Sequence, residues 1–348
     1  MTTFSCTILV ATAGQGILRS NDEGATWHRL GLKESIEFDG TVRALAVDPT
    51  DPLRIYAGAD SGLSISTDGG VHWRRAEGVL NGHTIWSIAI DPTNPRVLFA
   101  GTGAPSRAAL YRSRDAGETW TRLPPEIPEF CAGVNRPRLL TICVDPADGQ
   151  DVWFGVEEGG TWRSHDGGDH WERLPEGGAG SIRNSDIHAI AVLPATPSLP
   201  KTTLVLTVNA VHRSTDDGAS WQGELSRDRF DGLYYTRTVH VLPDSETLLL
   251  AMGDGTPGRR TRIYRSTDRA QSWHESRVDL PPNSTVWAFG SHAARPDLVF
   301  AGTKYGDLYR SDDGGCRWHK EWRVFSEITA VAWTPVKAAL VAHPQSTH

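Results

Sequence analysis

Three arginines, Arg43, Arg138 and Arg237, fall at neighbouring places of the chain's internal repeat. Guanidinium forks bind carboxylate or phosphate through paired hydrogen bonds, so three that converge would hold one anionic group. Asp186 and Glu327 share a level of the same repeat and would supply counter-charge or an acid/base pair. His188, two residues beyond Asp186, would carry a proton between them. Trp86, Trp287 and Tyr235 offer flat faces for a sugar ring or another planar ligand, and His83 lies in the loop leading to Trp86. A second reading uses the same side chains differently: the arginines pair with Asp186, Glu327, Asp39 and Glu37 as a rim of salt bridges.

What positions these residues is a repeated unit. Seven copies of S-x-D-x-[GA]-x-x-W end at Trp27, Trp73, Trp120, Trp171, Trp221, Trp273 and Trp318, which takes seven of the chain's 13 tryptophans. Around each copy run four short β-rich stretches, strands A to D, separated by Asp-Pro, Gly and Asp-Gly turn signals, with no helical periodicity. A four-stranded unit of this length is a propeller blade. The expected fold is all-β, a single seven-bladed propeller over residues 1–335, with 336–348 as a C-terminal tail. The chain opens on strand B, "CTILVATAG", and its last strand A, "ITAVAW" (328–333), is expected to complete the first blade and close the ring.

The motif spans the C–D turn, where Asp accepts backbone N–H groups, Gly takes a positive φ and Trp fills apolar space. That chemistry is structural, and Asp22 is expected to have no part in function. The sixth copy carries Ala270 in place of Gly, so its turn is expected to be distorted or reset. The seven S-x-D-x-G-x-[ST]-W units resemble the Asp-box, or BNR, repeats of sialidase-like, sortilin-like and xyloglucan-hydrolase-like propellers over essentially the whole chain. The resemblance implies the fold but not one function, since such repeats occur in glycosidases, sorting receptors and photosystem-assembly factors. Strict sialidases have six blades and an Arg-Ile-Pro element, and this chain has neither; xyloglucan hydrolases of this kind generally place two propellers around a cleft.

With the C–D turns on one face, function is expected on the other, at the mouth formed by the D–A and B–C loops. Deeper strand-A positions, Leu45, Ile88, Ile142, Ile190, Val239, Phe289 and Val331, form a dry apolar wall beneath it. The chain carries 35 basic and 42 acidic residues, a net charge of −7, which gives no global footprint for nucleic acid. No apolar run is long enough to span a bilayer, and the N-terminus lacks a secretory n-region, so a cytoplasmic monomer is expected. The four cysteines show no metal or disulfide spacing. His83, His188 and His240 stand at different levels, so neither metal nor cofactor is expected. No G-x-S-x-G, phosphate loop or H-E-x-x-H occurs.

The reading is therefore a propeller that binds a small anionic or carbohydrate-like ligand, or docks a protein partner, at the loop-lined mouth. The alternative is a glycoside hydrolase-like or lyase/isomerase-type enzyme using Asp186, Glu327 and His188 there. Inverting glycosidases hold their carboxyl groups about 6.5–9.5 Å apart, a separation that Asp186 and Glu327 would suit.

Overall fold

The computed structural model describes residues 5–36 and 40–336. Seven antiparallel sheets follow one another around a channel, each ordered A-B-C-D from the channel outward. Six are built from consecutive strands, and the seventh closes the ring: Ile328–Pro335 pairs with Cys6–Thr12, followed by Gly16–Ser20 and His28–Arg29. Blade 1 therefore joins the two ends of the described chain, and blades 2 to 7 follow in order. Blade 7 alone adds a short parallel strand, Arg277–Val278, along its outer edge. Among the described residues, helix is confined to one turn at Ser226–Arg229 and a 3-10 turn at Leu32–Glu34.

The recurring turn has the same bonds in all seven blades. The Ser hydroxyl accepts the N–H four residues on at 2.8–3.0 Å, and the Asp carboxylate accepts the N–H four residues on at 2.8–2.9 Å. Five of the tryptophans also donate Nε1–H to the carbonyl of the turn glycine. The expected distortion at Ala270 does not occur. Ala270 adopts φ +64 and keeps the Ser266 and Asp268 bonds of its neighbours, because the turn bonds hold the backbone left-handed without glycine. What is lost there is the indole bond: Trp273 Nε1 is buried without a partner.

Seven apolar cores lie between successive blades, one at each interface. Strand A feeds them through an irregular spacing. Val42, Leu45 and Val47 all face the core between blades 1 and 2, and Ile85, Ile88 and Ile90 that between blades 2 and 3. In a regular strand, residues three apart point to opposite faces. A β-bulge removes the conflict in every blade: Arg43, Trp86, Leu140, His188, Arg237, Trp287 and Thr329 are each skipped in the A–B pairing. The residue before each bulge is fully buried, the residue after it is Ala, Ser or Thr, and the next one packs in a core. The expected dry wall is thus the inner edge of the seven interblade cores.

Close approach between blades is set by small residues on strand B. A Cβ on Gly155 would stand 2.3 Å from Ile187 Cγ2, and one on Gly302 would stand 2.3 Å from Ile328 Cγ2. Each glycine lies opposite the residue that follows the bulge, so the adjoining blade's strand A can press against its backbone.

Candidate functional site

A bulge leaves its extra residue unpaired and re-aims the side chain. Here it turns seven side chains away from the cores, and six of them line one cavity of about 840 Å³ at the mouth of the channel. They are Arg43, Trp86, Leu140, Arg237, Trp287 and Thr329. Arg138, Tyr235 and Glu327, from the residues entering strand A, line the same cavity. Of the expected site residues, Asp186, His188 and His83 are outside that lining. His83 packs beside the Tyr111 ring, with centroids 6.2 Å apart. His188 is buried at 6 % exposure, and His240 bonds Ser291, so the three histidines do not assemble.

The cations are held by stacking and by carboxylates that strand A does not carry. Arg43 lies 3.9 Å from the Trp86 ring centroid and Arg138 5.1 Å from it, while Trp86 Nε1 donates to the Ala104 carbonyl at 2.9 Å. Arg43 Nε donates to Asp60 Oδ1 at 2.8 Å, and Arg138 Nη1 donates to Glu157 Oε2 at 2.7 Å. In blades 6 and 7 the stacking recurs: Arg237 lies 3.9 Å and Lys304 Nζ 4.4 Å from the Trp287 centroid. Lys304 donates to Glu327 Oε1 at 2.7 Å. Cation–π contacts of this kind contribute about 0.5–2 kcal/mol each, which fixes the rings as well as the cations.

A salt-bridge rim does exist, with different partners from those expected. Asp60 and Glu157 take the arginines, Lys304 takes Glu327, and Asp186 sits beside His188. Glu37 and Asp39 lie outside the described residues. Arg237 has neither an ion pair nor a hydrogen bond among the described residues. Arg138 Nε is also buried without a partner. Burial raises the pKa of the Tyr235 hydroxyl beside the mouth.

The missed residues come from a column that strand-A comparison does not reach. Directly after strand B stand Ala13, Asp60, Gly103, Glu157, Val208, Asp254 and Lys304. The N–H of six of these donates to a carbonyl in the residues entering strand A, for example Glu157 to Arg138 and Lys304 to Thr285. Those bonds carry the B–C turn to the mouth. Aligning the end of strand B across the repeats would have found Asp60, Glu157 and Lys304.

No protein-family model matches the chain. A xyloglucanase of Paenibacillus sp. is 27% identical over 91% of this chain and 31% of its own length. One of Hypocrea jecorina is 26% identical over 63% of this chain and 29% of its own length. The chain thus spans about a third of the length of the curated relatives it matches. Among solved structures, an ancestral GH74 enzyme superposes with a TM-score of 0.55 at 15% identity, covering 94% of this chain and 55% of that one. YCF48 bound to D1 peptide gives 0.53 at 18% identity, covering 80% of each chain. A putative 6-phosphogluconolactonase from Bacteroides uniformis gives 0.61 at 13% identity, covering 95% of this chain and 99% of that one. At these identities the structural likeness is one of fold.

Proposed function

We propose that the mouth binds a small ligand that carries a carboxylate or phosphate on a flat or sugar-like body. The observation that carries this reading is Arg237, which is stacked on Trp287 and has no carboxylate of its own among the described residues. Its surroundings support it: the cavity is lined by Arg43, Arg136, Arg138, Arg237 and Lys304 against only Glu157 and Glu327, in a chain of net charge −7. A positive concavity in an acidic protein concentrates anions. Trp86 and Trp287, half-buried in the lining, would contact the ligand's body beside the cations stacked on them.

The test is calorimetric titration with citrate, glucuronate, glucose 6-phosphate and inorganic phosphate, with neutral glucose as the control. A charge-assisted pair is worth about 1.5–3 kcal/mol, so Arg237→Ala should weaken an anion that binds by roughly 10- to 150-fold. Absence of binding across the anions, or equal binding by Arg237→Ala, would refute the reading.

A second reading, glycoside hydrolysis, is favoured by the alignment with xyloglucanases over most of the chain. The carboxylates at the mouth weaken it. Glu157 is bonded to Arg138 and Glu327 to Lys304, so neither stands as a lone acid or base. Release of reducing ends from xyloglucan oligosaccharides, abolished in Glu157→Gln or Glu327→Gln, would establish this reading; no turnover would dismiss it.

A further inference from the structure

Beside the cavity, the geometry points to a divalent transition-metal site formed by Glu157, Asp186 and His188, suited to an ion of the zinc class. His188 is the one bulge side chain that turns inward, and its side chain is 3% exposed. Its Nδ1 lies 2.5 Å from the Thr236 carbonyl oxygen. A carbonyl only accepts, so Nδ1 carries a proton, and Nε2 is the ring nitrogen left to take an ion on the other side. Nε2 faces Asp186 Oδ1 at 3.4 Å, and this oxygen is buried with no hydrogen-bond partner. A buried carboxylate oxygen left without a donor is unfavourable, and a cation held between it and Nε2 would satisfy it.

Glu157 supplies the third donor. One ligand atom from each of the three residues lies within 4.8 Å of the others. Two ligands each about 2.1 Å from a tetrahedral ion stand about 3.4 Å apart, and the Nε2–Oδ1 separation is 3.4 Å. The outer contacts are those a metal site uses: the imidazole N–H is fixed by a backbone carbonyl, and a Glu157 oxygen is held by Arg138. One imidazole and two carboxylates neutralise a divalent ion, and the imidazole selects zinc or cobalt over magnesium or calcium. Glu157 also lines the mouth cavity, so a fourth coordination position would open toward it.

The site was not expected from the sequence, because its donors come from separate segments: the turn after strand B of blade 4 and the start of strand A of blade 5. The full chain, stripped with EDTA, is titrated calorimetrically with zinc and cobalt chloride, and with magnesium and calcium chloride for comparison. His72 and His170, exposed and each beside a turn aspartate, are removed first as His72→Ala and His170→Ala so that adventitious surface binding is not counted. One equivalent of zinc or cobalt is expected in that background, weakened more than about 10-fold by Asp186→Asn and separately by His188→Gln, the loss that even an outer-shell change produces. Circular dichroism verifies that both variants fold. Unaltered binding in both variants overturns the site. So does absence of zinc and cobalt binding by the parent background.

Discussion

Closure of the ring rests on a single strand contributed by the far end of the chain, and the pair Ile8 and Trp333 measures it. The two residues are directly opposite in the closing ladder, both fully buried, and both pack on Leu298, Phe300 and Leu308 of blade 7. Trp333 Nε1 also donates to the Leu298 carbonyl at 3.2 Å. Truncating a buried Ile to Ala costs about 2–5 kcal/mol and a buried Trp to Ala about 3–5 kcal/mol. Either is a large fraction of a typical stability of about 5–15 kcal/mol. The two cavities are contiguous, so the double variant should lose less than the sum, with a coupling of about 0.5–3 kcal/mol. Urea unfolding at pH 7, followed by tryptophan fluorescence, reads all four corners of the cycle. Ile8→Ala with Trp153→Ala, a buried indole at the interface of blades 4 and 5, serves as the uncoupled control and should be additive within about 0.5 kcal/mol. Additivity of Ile8 and Trp333 would refute the closing ladder.

Acid should destabilise the protein in two stages. Burial holds the His212 and His240 pKa values at about 4, so the unfolded chain binds more protons from about pH 6.5 down to 4 and stability falls across that window. The Ser220 hydroxyl and N–H, helped by Ser214, hold Asp216 at about 2, so its contribution is present above about pH 4 and is lost on the way down to about 2. Urea midpoints from pH 7 to 2 should show both slopes, with the upper one shallower in His212→Asn; an unchanged upper slope would remove His212 as its source. At the blade interface, Gly302→Ala should overpack Ile328 and lower stability by about 1–3 kcal/mol, whereas Gly82→Ala, which has open space around its Cβ position but φ +75, should show only backbone strain of about 1–2 kcal/mol. Thermal unfolding compares the two, and a Gly302→Ala protein as stable as the parent would contradict the packing.

Blade number, strand order and closure were legible because the turn motif is covalently local: Ser, Asp, Gly and Trp bond within eight residues, so the sequence displays the whole device. The mouth was legible only in part. Arg43, Trp86, Arg237 and Trp287 were found because strand A repeats in register, so one column of residues becomes one ring of side chains. Their bulges were also written in the sequence, in apolar residues spaced three and then two apart, as in Val42, Leu45 and Val47. Strict alternation obscures that spacing. The ion-pair partners were missed because Asp60, Glu157 and Lys304 stand in the column after strand B, which a comparison of strand A alone does not reach. Asp186 and Glu327 share a repeat level, yet one lies beside His188 and the other lines the cavity against Lys304, because the loops preceding them differ.

The ring of bulges also separates what the protein recognises from what keeps it folded. None of the seven bulge residues belongs to an interblade core, while the residue two positions after each one does the packing, joined in six blades by the residue before it. Replacing Leu140 by a larger polar side chain changes the lining without opening a void between blades, whereas Thr329 also donates its hydroxyl to the Val42 carbonyl of the next blade. A library randomised at the five lining bulge positions other than Thr329 would therefore retain folded members at high frequency, because none of the five packs in an interblade core.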